Sequence, residues 1–247
     1  MKNSIYKGII FTLSIAAFLL FLYVIYWLTG NDILFPAPHE GIKSFFSLLG
    51  RSNTYLIIFS SLLRLLVALC VSFLVGGILG IIAARFYSVE LFLKPWITIF
   101  RSVPLASIIV IIMVLLGLNN SVYVIVMLML VPVSYEAFLK GIKSLDKFQM
   151  MALRLDGGFS FKNLFRVILP LALPFIEVAF VTSAGMGIKV LVMAEFICST
   201  NNSIGRAIKS ASDTLQYNYV FAWTLIALLF DLIIEGIPTL IYSKKKK

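Results

Sequence analysis

The sequence predicts an all-α polytopic membrane protein of about six transmembrane helices, and three observations carry that prediction. First, 61% of the 247 residues are hydrophobic and only 13% are charged, with a mean hydropathy of +1.03. Soluble domains run about 45–50% apolar and about 25% charged. Second, the apolar surplus falls in runs long enough to cross a bilayer, which takes about 20 residues as a helix. Third, Lys and Arg gather in alternate connecting segments, the pattern that orients membrane proteins.

The six runs are Gly8–Leu28, Leu56–Ala84, Pro95–Gly117, Val122–Leu139, Leu171–Ala194 and Val220–Tyr242. The first has the basic start of a signal peptide, but its apolar core is too long and no A-x-A site follows, so it reads as a retained helix. With the N-terminus inside, fifteen of the 21 Lys and Arg residues fall on inner segments and four on outer ones. That asymmetry predicts both termini in the cytoplasm of a multi-pass plasma-membrane protein. The net charge of +10 is therefore an orientation signal rather than a nucleic-acid footprint. The KKKK tail, Lys244–Lys247, suits anionic lipid headgroups. Two cysteines, Cys70 and Cys198, and the single His39 offer no metal or thiol site, and both cysteines read as small core residues.

Two outer loops are expected, from Thr29 to about Tyr55 and from Glu195 to Tyr219. FPAPHEG, Phe35–Gly41, reads as rigid turn chemistry. In the second loop Ser203 is placed to cap a short helix holding Ala207, Ile208 and Ala211.

The one large inner loop, 136–170, is the most informative stretch. Phe148, Met151, Ala152 and Leu155 recur at i, i+3, i+4, i+7, one apolar face of a helix. Gly157 and Gly158 follow directly and supply a left-handed stop. Ser160 predicts an N-cap for a second short helix with Phe161, Leu164, Phe165 and Ile168 on one face. Pro170 then predicts a bend at Leu169 before the fifth span. Periodicity alone leaves two readings open: a hairpin lying on lipid headgroups, or an amphipathic element docking into a partner's groove.

The run MALRLDG, Met151–Gly157, followed after nine residues by VILP, Val167–Pro170, resembles the EAA loop of binding-protein-dependent ABC importer permeases. Ala152, Gly157, Val167, Leu169 and Pro170 match that motif; Met151 stands where it has Glu, and Leu153 where it has its second Ala. SLLR (Ser61–Arg64), LKP (Leu93–Pro95) with RSVPLA (Arg101–Ala106), and Ala194–Glu195 followed by SIG (Ser203–Gly205) resemble elements of the nitrate/sulfonate/taurine-type permeases. Coverage is roughly residues 30–240. The resemblance implies a type I importer permease whose coupling helix seats in a groove on a separate ABC ATPase subunit. It implies two copies forming the pore and an extracytoplasmic substrate-binding protein delivering a small solute. That solute would be a nitrate-, sulfonate- or taurine-type anion, or a thiamine-precursor-like heterocycle. The chain then divides into an N-terminal helix and external loop (1–54), a permease core (55–243) and a basic tail (244–247).

Charges inside spans are functional candidates, because isolated burial in hydrocarbon is costly. Arg64 lies well within the second span, where it either attracts an anionic substrate or pairs with Glu195 or another acid. Lys189 either snorkels to the outer interface or faces the path. Glu177, Asp231 and Glu235 lie in or near spans five and six, Asp231 deep enough to pair across helices. SAGMG, Ser183–Gly187, gives span five a small-residue face for close packing or for lining a path, which brings in Ser183 and Met186; GGILG, Gly76–Gly80, reads as a packing seam.

There is no GxxxxGK[ST] phosphate loop, no HExxH and no GxSxG, so no catalytic residue, metal or cofactor is expected, and ATP would be bound by a partner. Two other classes fit the composition: an ion-coupled secondary transporter using Arg64, Glu177, Asp231 and Glu235 as a relay, and a non-transporting membrane scaffold.

Overall fold

In the computed structural model, residues 2–31 and 35–245 are described, with side chains over 6, 8–10, 12–31, 35–234 and 236; they form helices and turns without a strand. The chain starts with α1 (Lys2–Thr29), none of whose apolar window is buried. The loop expected after it is instead partly helical: α2 spans Pro38–Leu49. Pro38 opens it without cost, because the first turn of a helix has no use for that N–H. α3 (Ser52–Arg85) crosses as one 34-residue helix.

The third expected span, Pro95–Gly117, is two pieces rather than one helix. α4 (Tyr87–Ser102) contains Pro95 and ends at Val103, which is extended at φ −71°, ψ 133°. Pro104 follows, and the residue before a proline is pushed out of the α region. α5 (Leu105–Lys143) then bends back on itself at Gly117, whose φ of 77° and ψ of 172° suit only glycine. The reversal is visible in a Ser121 Oγ–Ile112 O bond of 3.3 Å; nine residues of straight helix would separate the two by about 13 Å. Arg101 of α4 also pairs with Glu136 on the returning arm. Among the described residues, five helices are long and apolar enough to cross a membrane. The hairpin inside α5 carries the chain back to the side where α3 ends, and Lys143 pairs there with Glu90.

On that side, α6 (Lys147–Leu155) is followed by the Gly-Gly turn and by α7 (Phe161–Asn163). A π-helical turn at Leu164–Ile168 joins α7 to α8 (Leu169–Cys198). The bend expected at Pro170 is therefore absent, and helix runs on from Phe161 to Cys198. The Leu169 N–H reaches back five residues to Leu164 O. This widens the turn where the proline ring would otherwise strike the carbonyl of residue 166. On the opposite side lie α2 and α9 (Ile204–Asp213), and α10 (Tyr217–Lys245) returns the chain.

The core sits where α3, α5 and α8 meet. Leu65, Leu69, Ile109, Val122, Ile125, Leu130, Ile188 and Leu191 are buried together there. Small residues let the helices close up. A Cβ on Gly76 would lie 2.1 Å from Ser134 Oγ and 2.7 Å from Val131 O, and one on Gly80 2.7 Å from Tyr135 O. GGILG is thus the seam between α3 and the returning arm of α5. On α8, Ser183, Ala184, Gly185 and Gly187 are all buried; a Cβ on Gly187 would meet Leu65 at 2.8 Å.

Because backbone rather than a flexible side-chain end faces Gly80, Gly80→Val is expected to cost about 1–3 kcal/mol. Thermal unfolding in detergent would show a lowered midpoint relative to Ile78→Val on the exposed face of the same helix.

Candidate functional site

Two constructions on opposite sides of the bundle carry the candidate functional residues. The first is the 144–170 loop. α6 begins with a reciprocal cap: Gln149 N–H donates to Asp146 Oδ1 at 2.7 Å, and Asp146 N–H to Gln149 Oε1 at 3.0 Å. The D-x-x-Q spacing before an apolar run is a readable capping-box signal that the periodicity argument passed over. Gly157 and Gly158 hold φ of 89° and 67°, and Ser160 caps the next turn by accepting from Asn163 N–H at 3.2 Å.

What rigidifies the turn is Asn163, 3% exposed, whose Nδ2 donates to Asp156 O at 2.7 Å and Gly158 O at 3.1 Å. Arg85, at the end of α3, donates to Phe159 O at 2.6 Å and stacks over the Phe159 ring at 5.5 Å. Neither residue was singled out from sequence, because both act through contacts that spacing does not encode.

The loop therefore has an inner and an outer side. Leu153 and Ile168 are buried with Ile142 and Ala172, and Leu164, Val167 and Met150 pack against them. Leu169 is half-buried and Pro170 exposed. The predicted apolar stripe of α6 points the other way: Phe148 is 84% exposed and Leu155 87%, with Met151 and Ala152 exposed beside them. The second stripe splits, Leu164 and Ile168 turning inward while Phe161 and Phe165 stay exposed, their rings 4.9 Å apart. A braced loop thus presents uncovered aromatic and aliphatic side chains.

The second construction is a charge clasp at the opposite end. Glu195 is fully buried near the end of α8. Arg64 Nη1 donates to its Oε1 at 3.1 Å, Gly205 N–H to its Oε2 at 3.2 Å, and Ser61 Oγ lies 2.8 and 2.9 Å from the two oxygens. Ser61 Oγ also accepts from Ile204 N–H at 3.0 Å. Arg64 closes the ring by donating to Asn201 O at 2.7 Å and Asn202 O at 3.2 Å. Ser203 caps α9, accepting from Arg206 N–H at 3.2 Å. Position 205 admits only glycine, since a Cβ would lie 2.4 Å from Val192 O. Residues 134 apart in sequence (Ser61 and Glu195) become one unit tying α3, α8 and the 199–205 loop together.

The remaining span charges are spread out. Lys189 of α8 pairs with Asp231 of α10 at 3.2 Å. Met186 is exposed one turn from Lys189, Glu177 is half-buried nearer the loop, and the Glu235 side chain lies outside the described residues. No cluster of three or more metal-type ligands occurs among the described residues.

Residues 76–247 match the binding-protein-dependent transport system inner membrane component family. The chain belongs to that family. It is an ABC importer permease subunit, a multi-pass membrane protein rather than the catalytic subunit of such a system, and an EAA loop is a feature of that family. It is similar to the taurine transport system permease protein TauC of Escherichia coli (strain K12), 26% identical over 236 residues covering 91% of this chain and 85% of the relative. It is also similar to a probable ABC transporter permease protein of Brucella melitensis biotype 1, 27% identical over 177 residues, 70% of this chain and 72% of the relative. Among solved structures, the permease fold resembles a chain of the MetNI methionine ABC transporter in an inward-facing form. The TM-score is 0.56 at 14% identity, over 75% of this chain and 96% of the other.

Removing one partner of a buried pair leaves an uncompensated charge, which costs about 3–5 kcal/mol. Arg64→Ala is expected to lower stability by that order, seen as a fall in the thermal midpoint of the detergent-solubilised permease. Arg64→Ala combined with Glu195→Gln should recover part of the loss. Asn163→Ala is expected to leave the spans intact and to speed proteolysis between Asp156 and Phe161.

Proposed function

We propose that this permease works as a pair of identical copies in a bacterial plasma membrane, with both termini and the EAA loop in the cytoplasm. A separate ABC ATPase subunit seats the exposed side of α6 and α7, through Phe148, Met151, Leu155, Phe161 and Phe165. An extracytoplasmic binding protein delivers substrate to the face carrying α2 and α9. The substrate class is a small anion of the sulfonate type, a reading supported by the similarity to a taurine permease.

The observation that carries this reading is the contrast within the EAA loop. Its inner side is packed against the bundle and held by the Arg85–Phe159 O bond, while Phe148 and Leu155 are more than four-fifths exposed. Uncovered apolar groups on a rigid mount fit a partner's groove better than a headgroup layer, which needs no fixed geometry. Where the family's glutamate would add a charge, Met151 adds apolar area, so this dock relies on packing. The excess of basic residues on the loop side supports the cytoplasmic assignment.

Affinity capture of the tagged permease from native membranes tests the assignment. The wild type is expected to bring down a nucleotide-hydrolysing subunit, and Leu155→Asp to lower its recovery by about tenfold or more, as central interface residues do. Gly157→Pro forces φ near −65° where the chain needs 89°. It should insert normally yet lose ATP-driven uptake. Recovery of no ATPase from the wild type, with uptake surviving ATP depletion, would overturn the reading.

A further inference from the structure

One surface of the bundle does not belong in hydrocarbon. Along α8, Val178, Thr182, Met186, Lys189 and Met193 are all exposed, at spacings of four, four, three and four residues, so they form one stripe. Away from their ends, the large exposed side chains of the neighbouring crossings are hydrophobic: Phe59, Leu63, Leu66 and Leu74 on α3, and Leu228, Leu229, Leu232 and Ile233 on α10. The α8 stripe instead carries a lysine whose side chain is 66% exposed. Lys189 sits nine residues before the end of α8, about 13 Å along the helix. Ionisable residues at such depth face a bundle interior or water rather than acyl chains.

The pairing is asymmetric. Asp231 holds the ammonium at 3.2 Å but is only 13% exposed, so the part of the pair that reaches the surface is the cation. The acid keeps the lysine from swinging away along α8 and presents it to whatever occupies the stripe. Around it lie the hydroxyl of Thr182, returned to Val178 O at 2.9 Å, and the thioethers of Met186 and Met193, none of which competes for an anion.

We propose that this stripe lines an aqueous passage and that Lys189 is its contact for a small oxyanion such as a sulfonate, with Asp231 as the residue that positions it. The inference rests on the permease reading and deepens it, naming the point in the path where charge is selected. Two copies facing one another across the stripe would present two such cations.

A thiol-accessibility experiment on the full chain tests it without nucleotide or partner. Cys70, which is exposed rather than the core residue its sequence suggests, is replaced by Ser, and the buried Cys198 is kept. Met186→Cys is then treated with the anionic sulfonate reagent MTSES and its cationic counterpart MTSET, in phosphatidylcholine nanodiscs with and without phosphatidylglycerol. Met186→Cys is expected to react, whereas Leu74→Cys on α3 stays inert. The MTSES-to-MTSET rate ratio should fall on the order of fivefold on adding Lys189→Gln, a size set by charge attraction across roughly one helical turn in a screened site. It should hold with Lys189→Arg and rise with Asp231→Asn. An inert Met186→Cys, or a ratio indifferent to Lys189→Gln, overturns the proposal. So does a ratio governed by phosphatidylglycerol content, which would assign Lys189 to lipid headgroups. Failure here alongside an intact ATPase capture would sink the anion path alone; the reverse pattern would sink the ATPase reading and leave the passage standing.

Discussion

A carboxylate with no exposure near the C-terminal end of α8 sets the terms for much of this structure. Glu195 is tolerable there only because Arg64, Ser61 and the Gly205 N–H surround both its oxygens. Those partners come from α3 and from the start of α9, so satisfying one acid dictates how three segments sit. Gly205 must then be bare, and the 199–205 loop must curl so that two carbonyls reach the guanidinium. Arg64 and Glu195 are thereby engaged in construction, whereas Lys189, paired with Asp231, keeps an exposed side chain.

The other end of the same helix explains how a soluble partner could act on such a bundle. With helix running from Phe161 to Cys198, the EAA loop and the span share one rod. The π-turn at Leu164–Ile168 takes up Pro170 without breaking that rod. Arg85 and Asn163 fasten the glycine turn to its base. A displacement at Phe161 would be carried along α8 past Lys189 towards the Glu195 clasp, instead of being lost in a hinge at Pro170. A bend at Pro170 would have broken that continuity.

The features read correctly from sequence are those decided within a few residues. Gly157 and Gly158 are left-handed because no other residue adopts that backbone so readily, and Ser160 and Ser203 cap because a hydroxyl three residues before an N–H is placed to accept. The crossings follow from hydropathy, and five of the six expected runs lie in the helices they predict. The failures have a common cause. Pro104 broke a run that hydropathy drew as continuous, Pro170 failed to break one, and α2 formed where Pro36 and Pro38 suggested only turns. Each outcome turned on where the proline falls in its helix: before the first turn, in the first turn, or at a widened π-turn.

By itself the sequence determined the class of this protein, its crossings and the amphipathic loop between the fourth and fifth of them. Length, hydropathy and local dihedral preference are properties of short segments, and a bilayer leaves segments little choice but to be helical. Only the tertiary structure decided which apolar stripe faces outward. Phe148 and Leu155 and the buried Leu153 are equally hydrophobic in the sequence, and the packing of Leu153 against Ile142 and Ile168 separates them. It likewise decided that Arg64 is bound and Lys189 open, since a charge's partner lies a hundred residues away or on another helix, where spacing carries no information.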